Sequence, residues 1–166
     1  THCSNRKVLG MDSKDGCFAE YMTIDTSLLH IVPDDLPDTQ AIFTEPLAAA
    51  MEILTQIHIS PDKNAAVLGD GRLALLTAQA LTGIDLTVIG RHPEKLELFR
   101  PFAKTAICGE KEGYEYVAEC TGSESGLPQA MELVRKKGTI ILKSTYAGKV
   151  SLDMSMAAVN ELTIVG

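Results

Sequence analysis

The rhythm of apolar and polar positions changes near residue 63. Before it the pattern is irregular. Two short β-like runs, CFAEYMTI at 17–24 and LLHIVP at 28–33, stand among polar residues, and the second closes in the turn-rich PDDLPD. A helical stretch follows over 38–58, DTQAIFTEPLAAAMEILTQIH, interrupted by Pro46. Proline disfavours helical backbone in the residue before it and suits the first turn of a new helix. Glu45 is therefore expected at a break between two helical pieces, with Leu47, Met51 and Leu54 sharing one face at i, i+4, i+7 spacing. From Lys63 onward short apolar runs alternate with helical periods. AAVLG leads into RLALLTAQAL, and DLTVIG into HPEKLELFRPF with Pro93 near its start. The weak strand TAIC follows, then YEYVAECTG with GLPQAMELVRK, GTIILKST and finally ELTIVG. This alternation predicts right-handed crossovers and an α/β fold with a doubly wound, parallel, six-stranded sheet over 65–166, and residues 1–40 read as irregular, β-rich structure.

Composition narrows the picture. A chain of 166 residues, 45% hydrophobic and 22% charged, has enough apolar surface for one domain with a real core, or one domain plus an appendage. Trp is absent and aromatics make up 5%, so the core must be aliphatic. A net charge of -7 argues against nucleic acid or an anionic membrane as the main partner. No apolar run approaches the roughly 20 residues needed to span a bilayer, and no basic-then-apolar leader is present. The abrupt opening THCSNRKVLG and the abrupt close ELTIVG suggest a piece of something longer. Cys3, Cys17, Cys108 and Cys120 are too far apart in sequence for a metal knuckle, and free thiols in a reducing cytoplasm are expected.

The chemistry begins at VLGDGRLALL. Gly69 allows a tight strand-to-helix turn, and Gly71 lets backbone approach a pyrophosphate closely. The third position of the G-x-G-x-x-G pattern needs only a small side chain where helix meets strand, which Ala74 supplies. The amino end of the following helix offers free N–H groups and partial positive charge to phosphates. The plainer reading is a tight turn without ligand, in a Rossmann-type fold that has lost its nucleotide. Asp70 is discordant, because a carboxylate beside a pyrophosphate is unfavourable. Its side chain is expected to point away, with Arg72 offsetting its charge.

A second test lies at the end of the next strand. An NAD site calls for Asp or Glu there, to accept hydrogen bonds from the ribose hydroxyls. Here LTVIG runs into Gly90-Arg91-His92-Pro93-Glu94-Lys95. Glycine removes the carboxylate that would repel a 2′-phosphate. Arg91 offers a planar cation suited to phosphate oxygens, and Lys95 lies one helical turn on. These residues favour NADP, with NAD as the alternative. The plainer reading is an Arg91 that is solvated, or that stacks on adenine without selecting.

The ordered set GCFAEYMTI, LLHIVPDDL, TEPLAAAMEIL, VLGDGRLALLTAQAL, GRHPEKLEL and ECTG resembles the medium-chain, zinc-dependent alcohol dehydrogenases, and most of all their polyol and threonine dehydrogenase-like branch, which shares EPLA. The resemblance covers essentially the whole chain. It implies that residues 1–40 are the end of a GroES-like catalytic domain and that 41–166 are the cofactor domain. The implied reaction is hydride transfer between a small alcohol or carbonyl and a nicotinamide dinucleotide, with zinc in a full-length parent.

The resemblance also assigns residues. Glu45 matches a catalytic-zinc position and Cys3 the fourth cysteine of a structural-zinc lobe. Without the resemblance, Glu45 is as readily a helix-start charge. Cofactor contacts carry over to Gly69, Gly71, Arg72 and Leu73, to Gly90, Arg91, His92 and Lys95, to Thr121 and Gly122, and to Lys143 and Thr145, with Ser144 between the last two. LKSTY departs from the family's commoner glycine-rich ending of that strand. A homodimer paired through ELTIVG is also implied. With most zinc ligands absent, this chain alone is expected to bind nucleotide without turnover. Two rival readings are a non-catalytic nucleotide-binding module and a zinc-independent quinone or enoyl reductase of the same superfamily. The latter usually lacks the EP carboxylate.

Overall fold

The computed structural model describes residues 3–166. The chain divides into two compact units, one ending at Ala41 and one spanning Ile42–Gly166. Each is described by itself.

The N-terminal unit departs from the sequence expectation. Neither 17–24 nor 28–33 forms a strand. The described residues of this unit hold one isolated antiparallel bridge, Val8 to Asp12, a single 3-10 turn at Thr26–Leu28 and the one-turn helix α1, Asp38–Ala41. A strand is stable only when a neighbour takes up its backbone groups. Within this unit nothing described pairs with either run, and Phe18, Tyr21 and Ile31 are left almost fully exposed. The 3-10 turn is held by Asp25, whose carboxylate accepts the Ser27 N–H at 2.9 Å.

The second unit carries the sheet. Helices α2 (Thr44–Met51) and α3 (Ile53–Gln56) lead into β1 (Asn64–Leu68). Next come α4 (Arg72–Ala80), β2 (Asp85–Ile89), the short α5 (Pro93–Leu96) and β3 (Lys104–Ala106). After them come β4 (Tyr114–Glu119), α6 (Gly126–Leu133), β5 (Val134–Leu142), α7 (Met154–Val159) and β6 (Thr163–Val165). The six strands are all parallel, in the order β3-β2-β1-β4-β5-β6. This is the expected doubly wound sheet, and the order reverses between β1 and β4.

Alternation along the strands explains the two layers. Ala65 and Val67 face one side with Leu86, Val88, Ala118 and Ile141, where Ala74, Ala78 and Leu81 of α4 and its C-cap cover them. Ala66 and Leu68 face the other with Ile89, Val117 and Ile140, covered by Leu127, Ala130 and Met131 of α6. Period-two side chains feeding two apolar faces are what a sheet buried on both sides requires. On α4 the buried stripe Ala74, Thr77, Ala78, Leu81 follows i, i+3, i+4, i+7. Ala74 is completely buried, so a small side chain does meet the need at that position. Asn64 joins the starts of β1 and β4, its amide donating to the Gly113 carbonyl at 2.7 Å and accepting the Glu115 N–H at 3.0 Å.

Other boundaries are corrected. The break in the helical stretch falls at Ile42–Phe43, not at Glu45. Glu45 and Pro46 sit inside the first turn of α2, where a missing N–H costs nothing because the first-turn amides have no partner within the helix. The inward face is Ala50 with Ile53, whereas Met51 and Leu54 are about half exposed. The helix after Pro93 lasts one turn and tightens into a 3-10 turn over Glu97–Phe99. Helix α6 stops at Leu133, and β5 begins at once with a register shift between Tyr114 and Tyr116 of its neighbour. Lys137 at φ 62° takes up the irregularity. Helix α7 was not foreseen; Asp153 caps it by accepting the N–H groups of Ser155 and Met156.

Gly69 stands at φ +126°, and a Cβ there would lie 2.9 Å from the Cys120 carbonyl oxygen. Both the dihedral and the close approach to β4 demand glycine. Gly69→Ala is expected to destabilise the domain by about 1–3 kcal/mol, read as a lower urea midpoint with an unchanged slope.

Candidate functional site

The crevice opens at the carboxyl ends of β1, β2, β4 and β5. Beyond β1, the turn Gly69-Asp70-Gly71 delivers the chain to α4, whose N-cap is Gly71 with no side-chain cap. The first-turn N–H groups of α4 therefore remain open to a ligand. A Cβ at Gly71 would meet nothing within 4 Å, so that position borders free space.

Two adjoining cavities share Gly71, Cys120 and Thr121. The first gathers Gly69, Gly90, Arg91, His92 and Lys95 around the ends of β1 and β2. The second gathers Glu45, Arg72, Leu73, Gly122, Lys143 and Thr145 around α2, the α4 N-terminus and the end of β5, with Ser144 also on its wall. Every residue expected to contact the cofactor thus lies on this crevice. Cys3 is an exposed free thiol in the N-terminal unit.

Asp70 reaches across to the turn after β2. Its Oδ2 accepts the N–H of Arg91 at 2.7 Å and that of His92 at 2.9 Å, and lies 2.9 Å from His92 Nδ1. Lys95 Nζ is 4.0 Å from the other oxygen. Partial burial works against the charged form, but the hydrogen bonds from His92 and Arg91 win and hold the carboxyl below its ordinary range. On the far side of the turn, Arg91 Nη2 donates to Ser125 Oγ at 3.2 Å.

The sequence reading overlooked Glu119. It ends β4 with no exposed surface at all. Its Oε1 accepts the Thr121 N–H at 2.7 Å and the Thr121 hydroxyl at 2.5 Å, and its Oε2 accepts the Tyr146 hydroxyl at 2.6 Å. Burial, then the hydrogen bond and charge of Glu119, push the Tyr146 phenol well above its usual range. Thr121 Oγ1 lies 3.0 Å from Ser123 Oγ, which lies 3.2 Å from Ser125 Oγ. A line of hydroxyls therefore runs from buried Glu119 to Arg91. In YEYVAEC Glu119 is the second of two acids, and the sequence does not single it out. Cys120, next in the chain, is buried, and burial pushes its thiol up to about 12, so it is neither a ready nucleophile nor a thiolate ligand.

Among the described residues no group of three or more His, Cys, Asp or Glu is placed to hold a metal ion. No helix of the described chain is long and apolar enough to cross a membrane.

The sequence and the fold are similar to those of several known reductases and dehydrogenases. No family model matches the sequence. The ribulose-5-phosphate reductase of Streptococcus pneumoniae is 33% identical over 167 residues, spanning 92% of this chain and 47% of that protein. The sorbitol dehydrogenase of Halalkalibacterium halodurans is 28% identical over 183 residues, spanning 99% of this chain and 53% of that protein. A zinc-binding dehydrogenase of Sinorhizobium meliloti 1021 bound to NADP superimposes with a TM-score of 0.85 at 24% identity, covering 99% of this chain and 54% of its own. Acetophenone reductase of Geotrichum candidum in complex with NAD superimposes with a TM-score of 0.84 at 20% identity, covering 99% and 51%. In sequence and fold the chain is thus similar to the cofactor-binding half of dehydrogenases and reductases of the kind its motifs resemble, the medium-chain, zinc-dependent alcohol dehydrogenases. It spans about half the length of the curated relatives it matches.

Glu119→Ala leaves the Thr121 amide and the Tyr146 hydroxyl without their acceptor and opens a hole beneath the crevice. A loss of roughly 2–4 kcal/mol in urea unfolding is expected, and Glu119→Gln, which keeps one acceptor oxygen and the volume, should cost clearly less.

Proposed function

We propose that this chain is the nicotinamide-dinucleotide-binding portion of a dehydrogenase that moves hydride between a small alcohol or polyol and its carbonyl form, and that NADP is its preferred cofactor. One observation carries the reading. An open glycine turn at an uncapped helix N-terminus faces a β2 end that presents Arg91 and Lys95 where an NAD site would place an acid. The free space at Gly71 fits a pyrophosphate, and the α4 first-turn amides and Arg72 would hold it. Arg91 and Lys95, with His92 beside them, would take the 2′-phosphate. Thr121, Gly122, Leu73, Lys143, Ser144 and Thr145 would line the nicotinamide half. When bound, the nicotinamide ring accepts or donates the hydride. The chain's own part is to orient the dinucleotide and to keep water from one side of it.

Zinc does not fit this chain by itself. Glu45 is an exposed carboxylate at the rim of the second cavity, and the described residues give it no metal-binding companions. The chain alone is proposed to bind nucleotide without turnover. In a longer parent chain Glu45 would join a catalytic zinc site and Cys3 a structural one. The four unpaired thiols suit a reducing, cytoplasmic setting. As edge strand of the sheet, β6 is the place where two such domains would pair into a homodimer.

Titration calorimetry with both oxidised cofactors tests the preference. NADP is expected to bind at least about tenfold tighter than NAD, and Arg91→Asp to invert the order; tighter NAD binding by the unaltered chain rules the preference out. In a separate assay, alcohol-dependent NADPH formation by this chain, free of any longer enzyme, would refute the proposal of binding without turnover.

A further inference from the structure

We propose that Asp70 is a positioning residue for cofactor selection: its carboxylate cross-links the β1–α4 and β2–α5 turns and so holds Arg91, His92 and Lys95 ready for a 2′-phosphate. The inference rests on the NADP reading above and goes beyond it, because it gives a role to the one residue that looked out of place in a phosphate-binding loop.

The geometry is specific. The Asp70 side chain is only 11% exposed, and one of its oxygens takes both backbone N–H groups of Arg91 and His92 while facing the His92 ring nitrogen. Those two amides form the start of the turn into α5, with His92 as its N-cap. Left open, they would offer an unselective anion site. With Asp70 seated on them, recognition of an added phosphate falls to the side chains of Arg91, His92 and Lys95.

Gly90 belongs to the same device. A Cβ there would lie 2.7 Å from Asp70 Cβ, 2.8 Å from Asp70 Oδ2 and 2.9 Å from a Leu96 methyl. A side chain at 90, acidic or not, cannot coexist with Asp70 in this position. The chain thus carries its carboxylate on the β1 side of the crevice, bound to the turn, in place of one at the end of β2 directed at a ribose.

Arg91 is then held at both ends. Asp70 fixes its backbone, and Ser125 receives its guanidinium at 3.2 Å at the end of the hydroxyl line anchored on Glu119. Lys95, 4.0 Å from Asp70 and 3.5 Å from His92 Nδ1, stands over the same turn. Cations already ordered before the ligand arrives lose less freedom on binding it.

The competing role for Asp70 is the opposite one, accepting a ribose 2′-hydroxyl with its second oxygen and thereby favouring NAD. Calorimetry on the unaltered chain, Asp70→Ala, Asp70→Asn, Arg91→Ala and Asp70→Ala/Arg91→Ala with NADP and NAD separates the two. Asp70→Ala is expected to weaken NADP about tenfold and NAD by less than about threefold, and to add little to the loss already caused by Arg91→Ala. Asp70→Asn keeps the side chain's shape and serves if the alanine variant does not fold; it should show the same selective loss, smaller in size. Weakened NAD with NADP unchanged or tighter would overturn the proposal in favour of the ribose role. Equal weakening of both cofactors, full additivity with Arg91→Ala, or no change in either would overturn it as well. Failure of the NADP reading itself is distinguishable, since it appears in the unaltered chain as NAD binding at least as tightly as NADP.

Discussion

The crevice depends on a ladder that runs one residue past the strands it joins. The Gly69 N–H donates to the Ile89 carbonyl at 2.8 Å, Gly90 to Ala106 at 3.0 Å, Cys120 to Leu68 at 2.8 Å and Lys143 to Glu119 at 3.0 Å. Each bond ties the first residue of a loop to the last residue of a neighbouring strand. In a parallel sheet all these loops leave from the same edge. The turns after β1, β2, β4 and β5 therefore start from fixed points, and what they carry is brought together by the sheet. Because the strand order reverses between β1 and β4, the helices that follow them leave toward opposite faces, and the gap between is the crevice.

Above that ladder the loops are held by carboxylates. Asp70 bridges the turns after β1 and β2, and Glu119 grips the turn after β4 and the segment after β5 through Thr121 and Tyr146. Both are acids near a site that should welcome phosphate, yet neither is a free negative charge there. Glu119 is fully buried and meets only N–H and O–H donors among its hydrogen bonds. Asp70 is spent on two amides and lies beside an imidazole and an ammonium group. A buried carboxylate is tolerable when donors surround it, and truncating it then leaves those donors unpaired. The same bonds that make these acids harmless to a phosphate also make them rigid supports for the loops.

Periodicity and turn chemistry were enough to read the sheet from residue 64 onward, because the central strands β1 and β4 carry apolar residues toward two covered faces and α4 has a buried small-residue stripe, although α7 was missed. They misled before residue 41. CFAEYMTI and LLHIVP have the residue types of strands, but residue type cannot supply the neighbour that a strand needs. Pro46 was placed correctly in a first turn, whereas the break was set two residues late because the helix begins at Thr44. Around the crevice, the placement of glycines and cations could be read, because spacing along each turn puts them at the strand ends. Glu119, Ser125 and Tyr146 could not, since their meaning comes from contacts across 2 to 34 residues of sequence, such as Arg91 to Ser125. Cys3 rests on resemblance alone.

Gly90 shows how one residue can answer two constraints at once. Read along the chain, its missing side chain means the absence of a repelling acid at the end of β2. In three dimensions it means that Asp70 can lie against the turn. The two meanings are linked, because a side chain at 90 would displace the carboxylate at 70 that fixes Arg91. On the proposed reading, cofactor choice in this site depends on which side of the crevice carries the acid, and on whether that acid faces the ribose or the backbone of the turn. Here the acid comes from the glycine loop and faces the backbone, so the turn after β2 presents its cations outward.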